Sequence, residues 1–376
     1  MVSFIPSRDA EAAYTKLGYL INFDIAVHHF QCSIRRLDDR FNIYTTTSPA
    51  PFIAPGLIVT PEIRRQSEMY LPIAEIRSVF HHLYRHALHY PPILSTAPFH
   101  KALSWADLYM ALPPRFQLGS NPARLIEALL SDRDMLTEFL FESFMPRRFY
   151  GGFNRYPEQV EFIREWLGKK KIGGGNRLRC LDAASGRGEG TYGLANLLME
   201  ARFVPEEIEI EGWTIEPLEV WAAEQRSFPH DREREAIFRR ETSRIFEMGY
   251  HQRIRFRCAD LTEKLPPHLR QSFIDEDLGD FRQFDLILCN GLIGGPIINE
   301  SEQLERLLLN LSTLLAPDGI LLAADSFHGG WKSKDQDIGR YFVQGAGSSS
   351  LWRVADSRSR SMCLPRKPCH LLRESL

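Results

Sequence analysis

The chain has 376 residues, 44% of them apolar and 25% charged, which is too long for one small domain and too apolar for global disorder. With 46 Lys and Arg against 48 Asp and Glu, the net charge of −2 gives no overall pull toward nucleic acid or an anionic membrane. The opening residues MVSFIPSRDAEAAY lack a charged segment leading into an apolar run, no stretch has the apolar length of a membrane span, and the six cysteines are scattered. A reduced, cytoplasmic protein without a membrane partner is the expectation.

In chain order, the β-branched run NIYTTT at 42–47 with nearby Pro joints predicts a small hairpin within 30–60. Residues 72–90 have helical periodicity and meet Pro91–Pro92. Residues 122–145 form a second helical pattern with Leu125, Leu129, Met135, Leu136 and Leu140 at the apolar positions. Residues 1–145 therefore read as a mostly helical region. His82, His86 and His89 share one face of the first helix, and His28, His29 and Cys32 form another small group. Nothing in either group completes a ligand set, so no metal is expected.

From 146 onward the pattern changes. LRCLDAA (178–184), EIEIEGWTI (207–215), FDLILCNGLI (284–293) and GILLAAD (319–325) read as buried strands, and RIRFRCAD (253–260) as a weaker one. Helical patterns lie between them at 192–199, 218–227 and 301–315. Strands alternating with helices predict a parallel sheet covered on both faces, a doubly wound α/β domain spanning 146–376.

The most informative segment is CLDAASGRGEGTYGLA, 180–195. A strand ends in Asp182, turns through Ala184, Gly186 and Gly188, and enters a helix. Small residues there let a ligand reach the backbone. The dinucleotide fingerprint spaces its glycines differently and has no preceding acid. An acid followed by Ala-x-Gly-x-Gly is the spacing of S-adenosylmethionine methyltransferases. Later strand ends agree: Glu216 is placed to take ribose hydroxyls, Asp260 and Leu261 to take an adenine amino group beside an apolar wall, and Asn290 closes the strand at 284–290.

The run Ala183-Ala184-x-x-x-Gly188-Glu189-x-x-Tyr192-x-x-Ala195 resembles the first motif of the chemoreceptor glutamate methyltransferases, the CheR family. So does LIEALLSDRDMLTEFLFESFMPRRFYGGFNRYPEQVEFIREWL upstream of it, and FDLILCN with LLAPDGILLAADS is similar to that family's last two core strands. The resemblance covers 123–330. It implies a Rossmann-like class I methyltransferase fold that binds S-adenosylmethionine, with Asp260–Leu261 and Asn290–Gly291 near the adenosine. Two segments depart from the family: Asn290–Gly291 replaces its Arg-Asn pair and is followed by LIGGPIINE without an aromatic, and Arg148-Phe149-Tyr150-Gly151-Gly152 replaces its Thr and paired Phe. The acceptor side is expected to be rebuilt, with the helical region and residues 149–157 covering the cleft.

His328, in ADSFHGGW, follows a strand end and could act as a general base or be a loop histidine bonded to backbone. Arg155 and Tyr150 could orient the acceptor or belong to a hinge at Gly151–Gly152. The basic stretch 351–376 has only Trp352 as an aromatic, which disfavours a nucleic-acid arm. The leading expectation is a methyltransferase whose acceptor is a small molecule or a protein. The rivals are a catalytically silent donor-binding module and a nucleotide-dependent oxidoreductase.

Overall fold

The computed structural model describes residues 3–4, 15–49, 58–146, 152–170, 177–264, 283–292, 298, 300–324 and 361–365. The chain divides into two compact units. The α/β unit comprises Met1–Arg8, Gly151–Arg226 and Ile237–Leu376, and the helical unit comprises Asp9–Tyr150 and Ser227–Ala236. The expected cut after residue 145 is thus a more interlaced division. The helical unit is inserted between the first strand and the remainder of the α/β unit, and it takes back ten residues from 227.

In the helical unit, α1 (Gln31–Thr47) occupies the region expected to be a hairpin. The β-branched residues do not decide the outcome, because Ile34, Leu37, Phe41 and Tyr44 recur at helical spacing and are all buried. Thr45, Thr46 and Thr47 turn their hydroxyls back onto the carbonyls of Asn42 and Ile43. Two helices follow, α2 (Pro61–Tyr70) and α3 (Ile73–Ala87). The first is capped by Thr60, whose hydroxyl accepts from Ile63 N. Next comes α4 (Trp105–Ala111), capped in the same way by Ser104.

The single helix expected over 122–145 is two helices, α5 (Pro122–Ser131) and α6 (Arg133–Phe144). Asp132 breaks the run, because its carboxylate accepts from the amides of Asp134 and Met135 and caps the second helix. The core of the unit is aromatic. Phe80 stacks on Phe99 at 3.8 Å, Phe116 meets Phe139 edge-on at 5.3 Å, and the Tyr84 hydroxyl pairs with Ser143 Oγ at 2.8 Å. The stretch 227–236 is held by His230, whose Nε2 lies 3.1 Å from Met145 O.

The α/β unit is a seven-stranded sheet. Its strands are β1 (Ser3–Phe4), β2 (Leu178–Asp182), β3 (Ile208–Thr214), β4 (Ile254–Cys258), β5 (Phe284–Asn290), β6 (Leu315–Ala324) and β7 (Ser361–Pro365). They lie in the order β1-β4-β3-β2-β5-β6-β7. The five central strands are parallel, and β1 and β7 close the edges antiparallel. All five strands expected from the sequence are present, although β6 begins four residues earlier, directly at the end of its helix. The helices are α7 (Pro157–Lys169), α8 (Glu189–Glu200), α9 (Pro217–Gln225), α10 (Arg232–Glu247, of which the α/β unit takes the part from Ile237) and α11 (Ser301–Leu314). Leu304, Leu307, Leu311 and Leu314 of α11 pack with Leu181, Trp213, Ile287 and Leu321 of the strands. This is the doubly wound, Rossmann-like α/β fold. Strand order reverses between β2 and β5, and in such sheets the crevice at the carboxyl ends of those two strands is where ligands bind.

Among the described residues no helix is long and apolar enough to cross a membrane.

Candidate functional site

At the reversal point β2 delivers Asp182, β3 leads to Glu216, β4 to Asp260 and Leu261, and β5 delivers Asn290. The turn after β2 is pinned from both sides. Ala183 N donates to Leu288 O at 2.7 Å, Ser185 N to Trp213 O at 2.8 Å, and Gly188 N closes the turn on Ser185 O. Gly186 and Gly188 both adopt left-handed backbone, with φ of +49° and +95°. Their surroundings differ. A Cβ on Gly188 would strike the Phe256 ring and Ala223 at 2.9–3.0 Å, whereas one on Gly186 would meet nothing closer than Glu219 Oε1 at 3.7 Å. Gly188 is fixed by packing, and Gly186 is the position at which the backbone stays open.

Asp182 is turned toward α8. It is buried, its Oδ2 accepts from Thr191 Oγ1 at 2.9 Å, and it also takes the backbone amides of Ala184 and Thr191. Burial raises its pKa to about 7 against the pull of those three donors, and Glu189 pushes in the same direction as burial. The residue assigned to donor contact thus braces the loop and occupies amides at the helix start.

Glu216 likewise has a structural task, because its Oε1 accepts from Leu218 N and caps α9. A neighbour that sequence reasoning missed, Glu219, stands nearer the open turn. Its Oε2 accepts from Thr214 Oγ1 at 2.6 Å at the very end of β3, and its other oxygen faces Gly186. Burial raises its pKa, with Arg187 and the Thr214 hydroxyl opposing and Glu189 adding to the rise. Arg187 and Glu189, both buried, pair at 3.4 Å. The one signal available in the sequence was the acid at 219, a single turn into the helix that Glu216 begins.

Asp260 is exposed and folds onto its own chain, accepting from both the amide and the hydroxyl of Thr262. Leu261 beside it is buried. The loop is tied down by Asn310 of α11, which donates to Leu261 O at 2.8 Å and to Glu263 O at 2.9 Å. At the end of β5, Asn290 forms a reciprocal amide pair with Gln159 of α7, with distances of 2.8 and 3.0 Å. Neither Gln159 nor Asn310 was singled out by sequence, since each lies in a helical stretch read for its apolar positions. The Ser185 hydroxyl, within the loop and buried, has no hydrogen-bond partner among the described residues.

Of the three acceptor-side candidates, Arg155 lies over the Tyr156 ring at 5.5 Å. Tyr150 and His328 lie outside the described residues, as does the start of the segment expected to cover the cleft. The part of that segment that is described seats Phe153 against α10 at Phe238, with its carbonyl over Gly193 of α8.

Elsewhere, the two histidine groups form one cluster. His29 lies 5.3 Å from His86, His28 is 4.1 Å from His29, and His82 is 4.1 Å from His86. His89 falls beyond the end of α3 at Ala87. Among the described residues no three His, Cys, Asp or Glu side chains are arranged to hold a metal ion.

No family model matches the chain, and no curated protein matches it in sequence. Solved structures do match. A proposed rRNA methylase of Clostridium thermocellum is 14% identical, with 55% of this chain and 93% of that chain covered at a TM-score of 0.33. An rRNA methylase of Streptococcus thermophilus is 10% identical over 54% and 92% at a TM-score of 0.30. An S-adenosylmethionine-dependent methyltransferase of Clostridium acetobutylicum is 16% identical over 51% and 56% at 0.28. Scores of this size do not establish a shared fold, so the fold assignment rests on the strand order and pairing of this chain itself.

Proposed function

We propose that the chain is an S-adenosylmethionine-dependent methyltransferase with a CheR-like scaffold and a rebuilt acceptor side. The observation that carries the reading is the set of acidic side chains around the open turn. Asp182, Glu189 and Glu219 stand there beside the guanidinium of Arg187. A pyrophosphate binds at a helix start through free amides and a positive field. Here the amide of Thr191 is already bonded to Asp182, and the surrounding side chains are acidic. The same environment suits a ligand that carries a sulfonium and an ammonium group.

Gly186 and Ser185 would receive the amino-acid end of the donor. Glu219, held on Thr214 at the strand end, would accept the ribose hydroxyls, with Glu216 supporting it as the cap of α9. Leu261 would wall the adenine, and Asn290 would close the site from β5. Bound there, S-adenosylmethionine supplies an activated methyl group. The chain has to align an acceptor with that carbon, exclude water and let the acceptor proton leave. His328 is the candidate base, and Arg155 and Tyr150 are the candidate acceptor-side groups.

The acceptor is a small molecule or a protein other than a chemoreceptor. Two family segments, at 148–152 and 291–300, differ together while the donor-side motif is kept.

Calorimetry tests the donor: S-adenosylmethionine and S-adenosylhomocysteine bind, and NAD does not. Binding of NAD with no response to S-adenosylhomocysteine refutes the reading. Labelled donor offered to a panel of proteins and small molecules then separates turnover from silent binding.

A further inference from the structure

Asn290 stands at the carboxyl end of β5, beside β2 at the point where strand order reverses. The residue after it, Gly291, has left-handed backbone at φ +73°, so the chain turns sharply there. An asparagine at such a place serves a ligand only if the plane of its amide is held still. A free amide turns about its side-chain bond and points its donor and acceptor in many directions.

The partner that holds the amide in place is Gln159. Its Nε2 donates to Asn290 Oδ1 at 3.0 Å, and Asn290 Nδ2 donates back to Gln159 Oε1 at 2.8 Å. Gln159 is 5% exposed, and α7, which bears it, is seated nearby by a second contact. Just before the helix, Phe153 O sits over Gly193, where a Cβ would come within 2.9 Å. The reciprocal pair uses one hydrogen and one lone pair of Asn290 and leaves the other of each available to a ligand.

We infer that Gln159 is a positioning residue for the donor site: it fixes the Asn290 amide, and through α7 it ties that amide to the segment carrying Arg155 and Tyr156. This rests on the donor reading above. It also extends that reading, since the stretch that departs from the resembling family leads directly into the helix that sets a donor-side contact. A change in residues 152–158 would then be felt as a change in donor affinity.

The test is a double-mutant cycle read by calorimetry with S-adenosylhomocysteine, using Gln159→Leu, Asn290→Ala and the pair together. Thermal melts establish that each variant folds. Gln159→Leu is expected to weaken binding five- to tenfold, Asn290→Ala to weaken it by a similar factor, and the double variant to be no worse than Asn290→Ala. A merely structural role for Gln159 predicts instead that its loss multiplies that of Asn290→Ala. Multiplication overturns the inference, and so does normal affinity in Gln159→Leu. Should Gln159→Leu fail to fold, Gln159→Glu keeps the size and one hydrogen bond but repels Asn290 Oδ1, and the same comparison is made with it. If the unaltered protein does not bind S-adenosylhomocysteine at all, the donor reading falls and takes this inference with it.

Discussion

Gly186 and Gly188 share a motif and a left-handed backbone, yet replacing each by alanine should fail in different ways. At Gly188 the φ of +95° lies outside the left-handed basin open to alanine, and the new methyl would press on Phe256 and Ala223 at 2.9–3.0 Å. Both neighbours are buried. The conformational term is about 1–2 kcal/mol and overpacking adds about 1–3 kcal/mol, offset by about 0.4–1 kcal/mol of unfolded-chain entropy. A net loss near 3 kcal/mol lowers the melting temperature by roughly 6–12 °C for a unit of this size. At Gly186 the φ of +49° falls near the ordinary left-handed basin, and the nearest atom is 3.7 Å away. Strain and entropy there nearly cancel, at about 1 kcal/mol each, so stability holds. The methyl instead occupies the side on which the backbone is open. Thermal melts and calorimetry with S-adenosylhomocysteine on both variants give the answer. If Gly188→Ala melts like the unaltered protein, or if Gly186→Ala binds normally, the division of labour between the two glycines is wrong.

Four further outcomes are expected. Glu216→Ala should cost about 1 kcal/mol of stability through loss of a helix cap, while Glu219→Gln should leave the melt unchanged and weaken S-adenosylhomocysteine by tenfold or more; the reverse pattern in melts and calorimetry would return the ribose to Glu216. Asp182 has its folded pKa raised from 3.8 to about 7, so its contribution to stability is complete below pH 4 and is lost as pH rises through 7; Asp182→Asn should flatten that part of a melting-temperature profile. His82 has its pKa lowered by burial, with His86, His29 and Arg85 acting in the same direction, so its contribution is lost as pH falls below about 6.5; melts between pH 7.5 and 5 on His82→Asn should show a smaller acid loss. Asn310→Ala should destabilise by about 1–3 kcal/mol, since two carbonyls lose their donor, and should loosen the Leu261 loop enough to be seen as faster amide exchange at 259–263.

The central sheet was legible because a parallel strand buried on both faces leaves little choice of residue. Cys180–Leu181 and Leu286–Cys289 read as strands in any setting. The turn after Asp182 was legible because two glycines at fixed offsets carry a backbone requirement. The helical unit was harder. NIYTTT has the composition of a strand, and only the spacing of Ile34, Leu37, Phe41 and Tyr44 reveals the face that tertiary packing selects. Asp132 lies inside a continuous helical pattern, and its capping role shows only once its carboxylate is seen on two amides. At the site, an acid at a strand end announces that a carboxylate is present but not where it points. Asp182 and Glu216 turn to backbone amides, while Glu219, Gln159 and Asn310 enter from helices whose placement no local motif encodes.

The short strand β1 has a consequence for how the protein is made. Ser3 pairs with Arg257, so the residues of β1 reach their place only after more than 250 later ones have left the ribosome. At about 5–20 residues per second that is a wait of roughly 10–50 s. The helical unit lies between them in the chain, and it too is incomplete until residues 227–236 emerge, shortly before β4. Two closures of long range, one for each unit, therefore fall due within a few seconds of each other. Until then the edge of β3 that receives β4 has no strand to cover it. Slowing translation just past residue 258 should help the nascent chain, and a stall before 227 should leave both units open to aggregation.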